Sequence, residues 1–221
     1  RLVGLPVPEI TMNQLNGRRY RIVERYDRIR VDGKRHRKHQ EDFSQVAGLR
    51  STRKYQADQG PKLADIAESI RRISARPAED LLHLLRWQIF NWLAGNSDGH
   101  AKNLSLVHTS HTNASWRLAP FYDLVCTRAW PNLDERLAMT VGDQSEPGRI
   151  GRREWENEAR AMKMRPSFVL AEVQAMASQI DQALEPLRMS LEKQFGPLSM
   201  LQQPEAVIKT QLRIAKNSLK E

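Results

Sequence analysis

Cysteine is nearly missing: Cys126 stands alone in 221 residues, so there is no internal disulfide and no Cys-x-x-Cys framework for zinc. That usage points to a reducing cytoplasm, and Cys126, following Leu124-Val125, reads as a half-buried filler rather than a reactive thiol. Long apolar runs are missing too. No stretch approaches the roughly 18 residues of a membrane-spanning helix, and 28% charged residues with a mean hydropathy of −0.62 argue against a membrane protein. Aromatics make up only 6%. The opening Arg-Leu-Val-Gly-Leu-Pro-Val-Pro has neither the apolar core nor the cleavage site of a signal peptide. A chain that starts at Arg1 without methionine is expected to be part of something longer. No internal repeat or low-complexity tract is visible.

What is present suits a globular protein. Hydrophobic residues reach 40%, and 221 residues suffice to bury a core in one large domain or one and a half small ones. The formal charge of +9 and a pI near 10.0 favour an anionic partner without choosing one. The densest basic run, Lys34-Arg35-His36-Arg37-Lys38-His39, lacks the interleaved aromatics that stack on single-stranded bases and is expected to be a solvated loop.

The pattern along the chain predicts a β-hairpin, then mostly helix. Glu9–Leu15 and Arg18–Tyr26 flank Asn16-Gly17, the dipeptide best suited to a type I′ turn. Leu63, Ile66, Ala67, Ile70 and Ile73 recur at helical spacing up to Arg76-Pro77. Pro77 then opens a second helix, with Glu79 and Asp80 at its positive end, a wide apolar face (Leu81, Leu82, Leu85, Ile89, Phe90, Leu93) and Gly95 as its stop. That width predicts burial, with Trp87, Phe90 and Trp92 as core. Leu104–Val107 and Trp116–Ala119 are expected to pair across 108–115. Further helices are predicted over 154–162, over 167–184 with Ser167 as N-cap and Pro186 past the end, and over 204–219. The fold class is therefore mainly α with small β-hairpins, an α+β chain.

The informative segment is Gly95-Asn-Ser-Asp-Gly-His-Ala-Lys-Asn103, followed by Pro120-Phe-Tyr-Asp123. A loop holding Asp98, His100, Lys102 and Asn103 straight after a buried helix is typical of a site. Asp98 and Asn103 are five apart, the separation of Asp and Asn in the catalytic loop of protein kinases, and Asp123 lies beyond a hairpin, where those enzymes keep a second metal-binding Asp. Phosphoryl transfer demands positioning and charge neutralisation more than covalent chemistry. Asn103 and Asp123 offer hard oxygens to Mg²⁺, Asp98 can accept a proton from an attacking hydroxyl, and Lys102 can neutralise charge on the moving group. Singly, Asp98 and Asn103 would be turn residues; together with Asp123 they predict an ATP-dependent kinase. A metal-dependent hydrolase built on Asp98, His100 and Asp123 is the weaker alternative, because no second His or paired Glu stands at ligand spacing.

The strings 91–106 (Asn-Trp-Leu-Ala-Gly-Asn-Ser-Asp-Gly-His-Ala-Lys-Asn-Leu-Ser-Leu) and 118–124 (Leu-Ala-Pro-Phe-Tyr-Asp-Leu) resemble the signature of the HipA-like serine/threonine kinases, the toxins of bacterial HipB/HipA toxin–antitoxin modules. Gly4–Glu9, Val23–Arg28, Gln40-Glu-Asp42, Lys54-Tyr55 and Gly60-Pro61 are similar to further landmarks of that family. The resemblance implies a protein-kinase-like fold, predominantly the helical C-terminal lobe over 27–221, with 1–26 as the end of the N-terminal lobe and the hinge. Glu24, Arg25 and Tyr26 would then read the adenine of ATP, Asp98 would be the base, His100, Lys102 and Asn103 would face phosphates and Mg²⁺, and Tyr122-Asp123 would close the site. It also implies a HipB-like helix-turn-helix antitoxin, operator DNA bound through that complex, and a protein substrate such as an aminoacyl-tRNA synthetase whose phosphorylation causes growth arrest or persistence. The family's nucleotide-gripping lysine and phosphate loop match nothing in these residues. The alternative expectation is an impaired lobe acting as an antitoxin-binding corepressor.

Overall fold

The computed structural model describes residues 2–50, 53–110 and 115–219. Two β-ribbons come first. β1 (Ile10–Leu15) and β2 (Arg18–Val23) pair antiparallel, Ile10 opposite Val23. Their turn is the one predicted: Asn16 and Gly17 have φ of 51° and 75°, the two positive values a type I′ turn requires. The basic run is not a loop. β3 (Arg28–Val31) and β4 (Lys34–Arg37) form a second ribbon around Asp32-Gly33, whose φ values of 49° and 74° repeat the same turn. Charge obscured an Asp-Gly hairpin signal as strong as the first.

β5 (Gln40–Asp42) pairs with β6 (Ser105–His108), and β6 with β7 (Trp116–Leu118), giving a three-stranded sheet. The β6–β7 pair was expected, and 111–114 of its connection lie outside the described residues. β5 was not expected, because three polar residues carry no strand pattern and only the partner strand holds them. A one-turn helix α1 (Phe43–Val46) follows, capped by Asp42, which accepts from the Gln45 N–H at 2.9 Å.

The helical body matches its periodicity closely. α2 (Leu63–Ile73) buries Leu63, Ile66, Ala67 and Ile70. α3 (Pro77–Ala94) is the central helix, buried on nearly every side, with Trp87 and Trp92 inaccessible and Trp92 edge-on to Trp155 at 5.5 Å. It ends at Gly95, in the left-handed region at φ 73°, where a Cβ would stand 2.5 Å from Val207. α4 (Arg152–Ala161), α5 (Pro166–Phe195) and α6 (Gln202–Ser218) pack around it. Met162 is fully buried, whereas Trp130 is exposed and Trp116 lies against His108 at 4.0 Å.

α5 departs from expectation at both ends. Arg165, not Ser167, is its N-cap, because Pro166 takes the first helical position that its fixed φ suits. The helix also runs through Pro186. Just past the proline, Arg188 pairs with Glu185 and Glu192 on α5 and with Glu205 on α6, tying the two helices together. No helix among the described residues is long and apolar enough to cross a membrane.

Candidate active site

α3 delivers the loop. Beyond Gly95, the Asn91 carbonyl accepts from the Asn96 N–H at 2.9 Å, and Asn96 Nδ2 donates to Asn91 Oδ1 at 3.0 Å and to the Asp123 carbonyl at 3.3 Å. Asn96, Ser97, His100 and Asn103 are all buried, while the Asp98 side chain is half exposed at the rim. Gly99 lets this turn lie against the helix: a Cβ there would stand 2.8 Å from Asn91 Nδ2 and 3.3 Å from the Trp87 ring. Ser97 anchors the loop from the other side, taking a bond from its own N–H to Thr127 Oγ1 at 2.8 Å and donating its hydroxyl to the Glu135 carbonyl at 2.7 Å.

Asn103 and Asp123, 20 residues apart, meet: Asn103 Nδ2 donates to Asp123 Oδ2 at 2.8 Å, and Asn103 Oδ1 accepts from the His100 N–H at 3.0 Å. Asp123 is exposed and sits at φ 59°, a left-handed conformation that aspartate tolerates better than most residues and that turns its carboxylate back toward the loop. Among the described residues the other Asp123 oxygen and the second lone pair of the Asn103 amide oxygen make no bond, a hard-oxygen set that fits Mg²⁺ sharing its shell with phosphate and water. Among the described residues no three His, Cys, Asp or Glu side chains group as a metal site, so the hydrolase alternative gains no support.

His100 stacks edge-on against Tyr55 at 5.3 Å, and its Nε2 is 3.9 Å from Asp98 Oδ1. Burial holds its imidazole below the usual histidine range, with Asp98 opposing, and its buried Nδ1 has no hydrogen-bond partner among the described residues. Lys102 forms no side-chain bond among the described residues, but its carbonyl accepts from the Tyr122 hydroxyl at 2.9 Å.

Of the expected adenine readers, Tyr26 is tied to this cluster. Its hydroxyl donates to Gln40 Oε1 at 2.9 Å, Gln40 Nε2 to Ser105 Oγ at 3.1 Å, and Ser105 bonds the Tyr122 hydroxyl at 2.7 Å. Burial and the neighbouring Tyr122 push the Tyr26 phenol up to about 12, so it stays neutral and donates. Arg25 instead gives a two-pronged bond to Asp27, both at 2.8 Å, and Glu24 is exposed.

Four residues of this cluster had no assigned role in the sequence: Gln40, Ser105, Lys54 and Tyr55. The Tyr55 hydroxyl donates to Asp98 Oδ1 at 3.1 Å, and Lys54 Nζ lies 4.5 Å from the Tyr55 ring centre, within the fields of both Asp98 and Asp123. Lys54-Tyr55 and Gln40-Glu-Asp42 had stood out as landmarks, the one signal that could have pointed here. A cavity of about 750 Å³ opens beside Asp98, lined among others by Tyr55, Ser97, Leu133, Arg136 and Leu137.

A loop with Asp and Asn five apart, a following hairpin and a second Asp brought back onto that Asn, all set on a helical body, define a protein-kinase-like fold seen in its helical lobe. Residues 1–184 match the family described as HipA-like C-terminal domain, and the chain belongs to that family. It is similar to the kinase-named protein Y4mE of Sinorhizobium fredii, at 41% identity over 159 residues. It is also similar to the serine/threonine-protein kinase toxin HipA of Shewanella oneidensis, at 28% over 162 residues. Those matches cover 72% and 68% of this chain but only 37% of each relative, so the chain spans well under half of their length. Among solved structures, HipA of Shewanella oneidensis MR-1, determined with HipB and its operator DNA, superposes with a TM-score of 0.84 at 21% identity, over 97% of this chain and 53% of that one. The proinflammatory kinase CtkA of Helicobacter pylori superposes at 0.53 and 14% identity, over 99% of this chain and 79% of that one. At these identities the structures speak for the fold alone.

Proposed function

We propose that this chain is the catalytic lobe of a serine/threonine protein kinase acting as the toxin of a toxin–antitoxin module, transferring phosphate from ATP with Mg²⁺ to a protein hydroxyl. The observation that carries the reading is the Asn103–Asp123 contact beside the exposed Asp98 carboxylate. Asn103 and Asp123 would hold Mg²⁺, which supplies charge neutralisation on the phosphates when bound. Asp98 accepts the proton of the attacking hydroxyl, and its Oδ1 is oriented by the Tyr55 hydroxyl. Lys102, which makes no side-chain bond among the described residues, and Lys54, close to both acids, supply positive charge at the mouth of the site. Glu24–Tyr26 serve as the hinge that reads adenine, and the Tyr26–Gln40–Ser105–Tyr122 relay holds that hinge in register with the loop.

The partners follow from the relatives' names and the resemblance: a HipB-like antitoxin, operator DNA through that complex, and a translation component such as an aminoacyl-tRNA synthetase as substrate, in the cytoplasm. The decisive test is calorimetry of Mg²⁺-dependent ATP binding by the full-length protein, with and without Asp123→Asn. Binding that disappears in the variant supports the reading. Binding that is unchanged, or no binding by either form, sinks it in favour of a corepressor without catalysis.

A further inference from the structure

Most of the molecule's net positive charge sits in one tenth of its length. Residues 18–39 hold ten Lys and Arg against three Asp and Glu, a surplus of seven in a chain whose total is +9. The fold then sorts this charge. In the β3–β4 register Arg28 opposes Arg37 and Arg30 opposes Arg35, so all four guanidinium groups project from one face of the ribbon, while Ile29, Val31, Lys34 and His36 take the other. Like charges directly opposite one another destabilise a strand pair. At the base the cost is met by Asp27, a buried carboxylate that Arg25 and Arg28 contact and that Arg37 approaches to 3.8 Å. At the tip it is not: Arg30 and Arg35 are exposed and have no ion pair or hydrogen bond among the described residues. Arg25, Arg28, Arg30 and Arg35 instead line a cleft of about 480 Å³ in which Glu24 is the one acid.

We infer that the β3–β4 ribbon is a contact surface for the phosphate backbone of duplex DNA. Arginine forks match phosphate oxygens in two-pronged geometry. A two-stranded ribbon is an element that the major groove of B-DNA admits. The ribbon carries no Phe, Tyr or Trp, so it lacks the stacking platforms of single-strand binders. An anionic membrane is disfavoured by the ribbon's tip, where Asp32-Gly33 offers no apolar side chain to enter a headgroup layer. The inference rests on charge placement alone and is independent of the kinase reading.

The test is fluorescence anisotropy of the full-length protein with a short mixed-sequence DNA duplex, titrated across salt. Arg30→Gln/Arg35→Gln is expected to weaken binding and to lower the slope of log affinity against log salt by about 1.8, whereas Arg30→Lys/Arg35→Lys keeps the slope. Each single Gln substitution is expected to remove about 0.9, which keeps the measurement informative if the double variant fails to fold. Removing two exposed charges elsewhere, Lys193→Gln/Arg213→Gln, is expected to change the slope little. Absence of duplex binding, an equal loss in that control, or binding to phosphatidylserine vesicles with none to duplex overturns the proposal.

Discussion

Asp98 carries half its side chain in solvent, yet it is not loose, because Tyr55 reaches across 43 residues of sequence to bond it. A hydrogen bond to a charged acceptor contributes roughly 1.5–3 kcal/mol when sheltered, and solvent at this rim reduces that to about 1 kcal/mol. On the proposed kinase reading, Tyr55→Phe in the full-length protein is therefore expected to slow phosphotransfer about fivefold in kcat, while Asp98→Asn slows it roughly 100- to 10,000-fold. Equal losses in the two variants would show that Tyr55 does more than orient Asp98. His100 gives a pH signature. Burial lowers its folded pKa below that of the unfolded chain, so between the two values the unfolded state binds more protons. Its contribution is thus intact above the ordinary histidine range and is lost as pH falls through it. Chemical denaturation at pH 7.5 and 5.5 is expected to show a fall in stability toward acid that His100→Gln reduces.

At the scale of elements, α2 and α3 lie where their own apolar periodicity puts them, whereas β5, the β3–β4 ribbon and the far end of α5 are set by what they pair with. α3 is the clearest case, since its cap, proline and apolar face all agree. Its one buried charge, Asp80, was read only as a complement to the helix dipole. In the fold Asp80 is inaccessible and ties three elements: it accepts from Arg117 Nη2 at 2.9 Å, from the Leu118 N–H at 2.9 Å and from Ser74 Oγ at 2.5 Å. Asp80→Ala is expected to cost about 3–5 kcal/mol in urea denaturation, because Arg117 would be left with only the exposed Glu79 at 3.0 Å. A cost below about 1 kcal/mol would mean that Arg117 escapes to water. The basic ribbon and the run of α5 through Pro186 are the opposite cases: a window of charge or a proline predicts a break, and pairing to a second strand or helix cancels it.

Across the whole molecule, the candidate site is assembled from segments distant in sequence, and its walls are coupled to the helical body. Glu158 on α4 accepts from the Gly142 N–H at 2.8 Å and so anchors the segment that runs beside the cavity next to Asp98. Burial raises its carboxyl above the usual range, with the Gly142 N–H opposing. A raised folded pKa means that its stabilising contribution is present below the unfolded value and is lost as pH climbs through the folded one. Glu158→Gln keeps an acceptor for Gly142 without a buried charge. It is expected to be more stable than the parent near pH 8 by about 1 kcal/mol and equal to it near pH 4, by denaturation at both. A variant less stable at both values would show that the charge itself holds the segment.

The sequence by itself determined the α+β class, the first hairpin, α2, α3 and the grouping of Asp98, His100, Lys102 and Asn103, because turn chemistry, helical period and short-range spacing are local properties. Only the tertiary structure decided that Asp123 meets Asn103, that Tyr55 holds Asp98, that Gln40 and Ser105 join Tyr26 to Tyr122, and that four arginines share one face. Those contacts cross 14 to 65 residues or turn on a strand register, and both are set by how the buried faces pack rather than by any stretch of chain read alone.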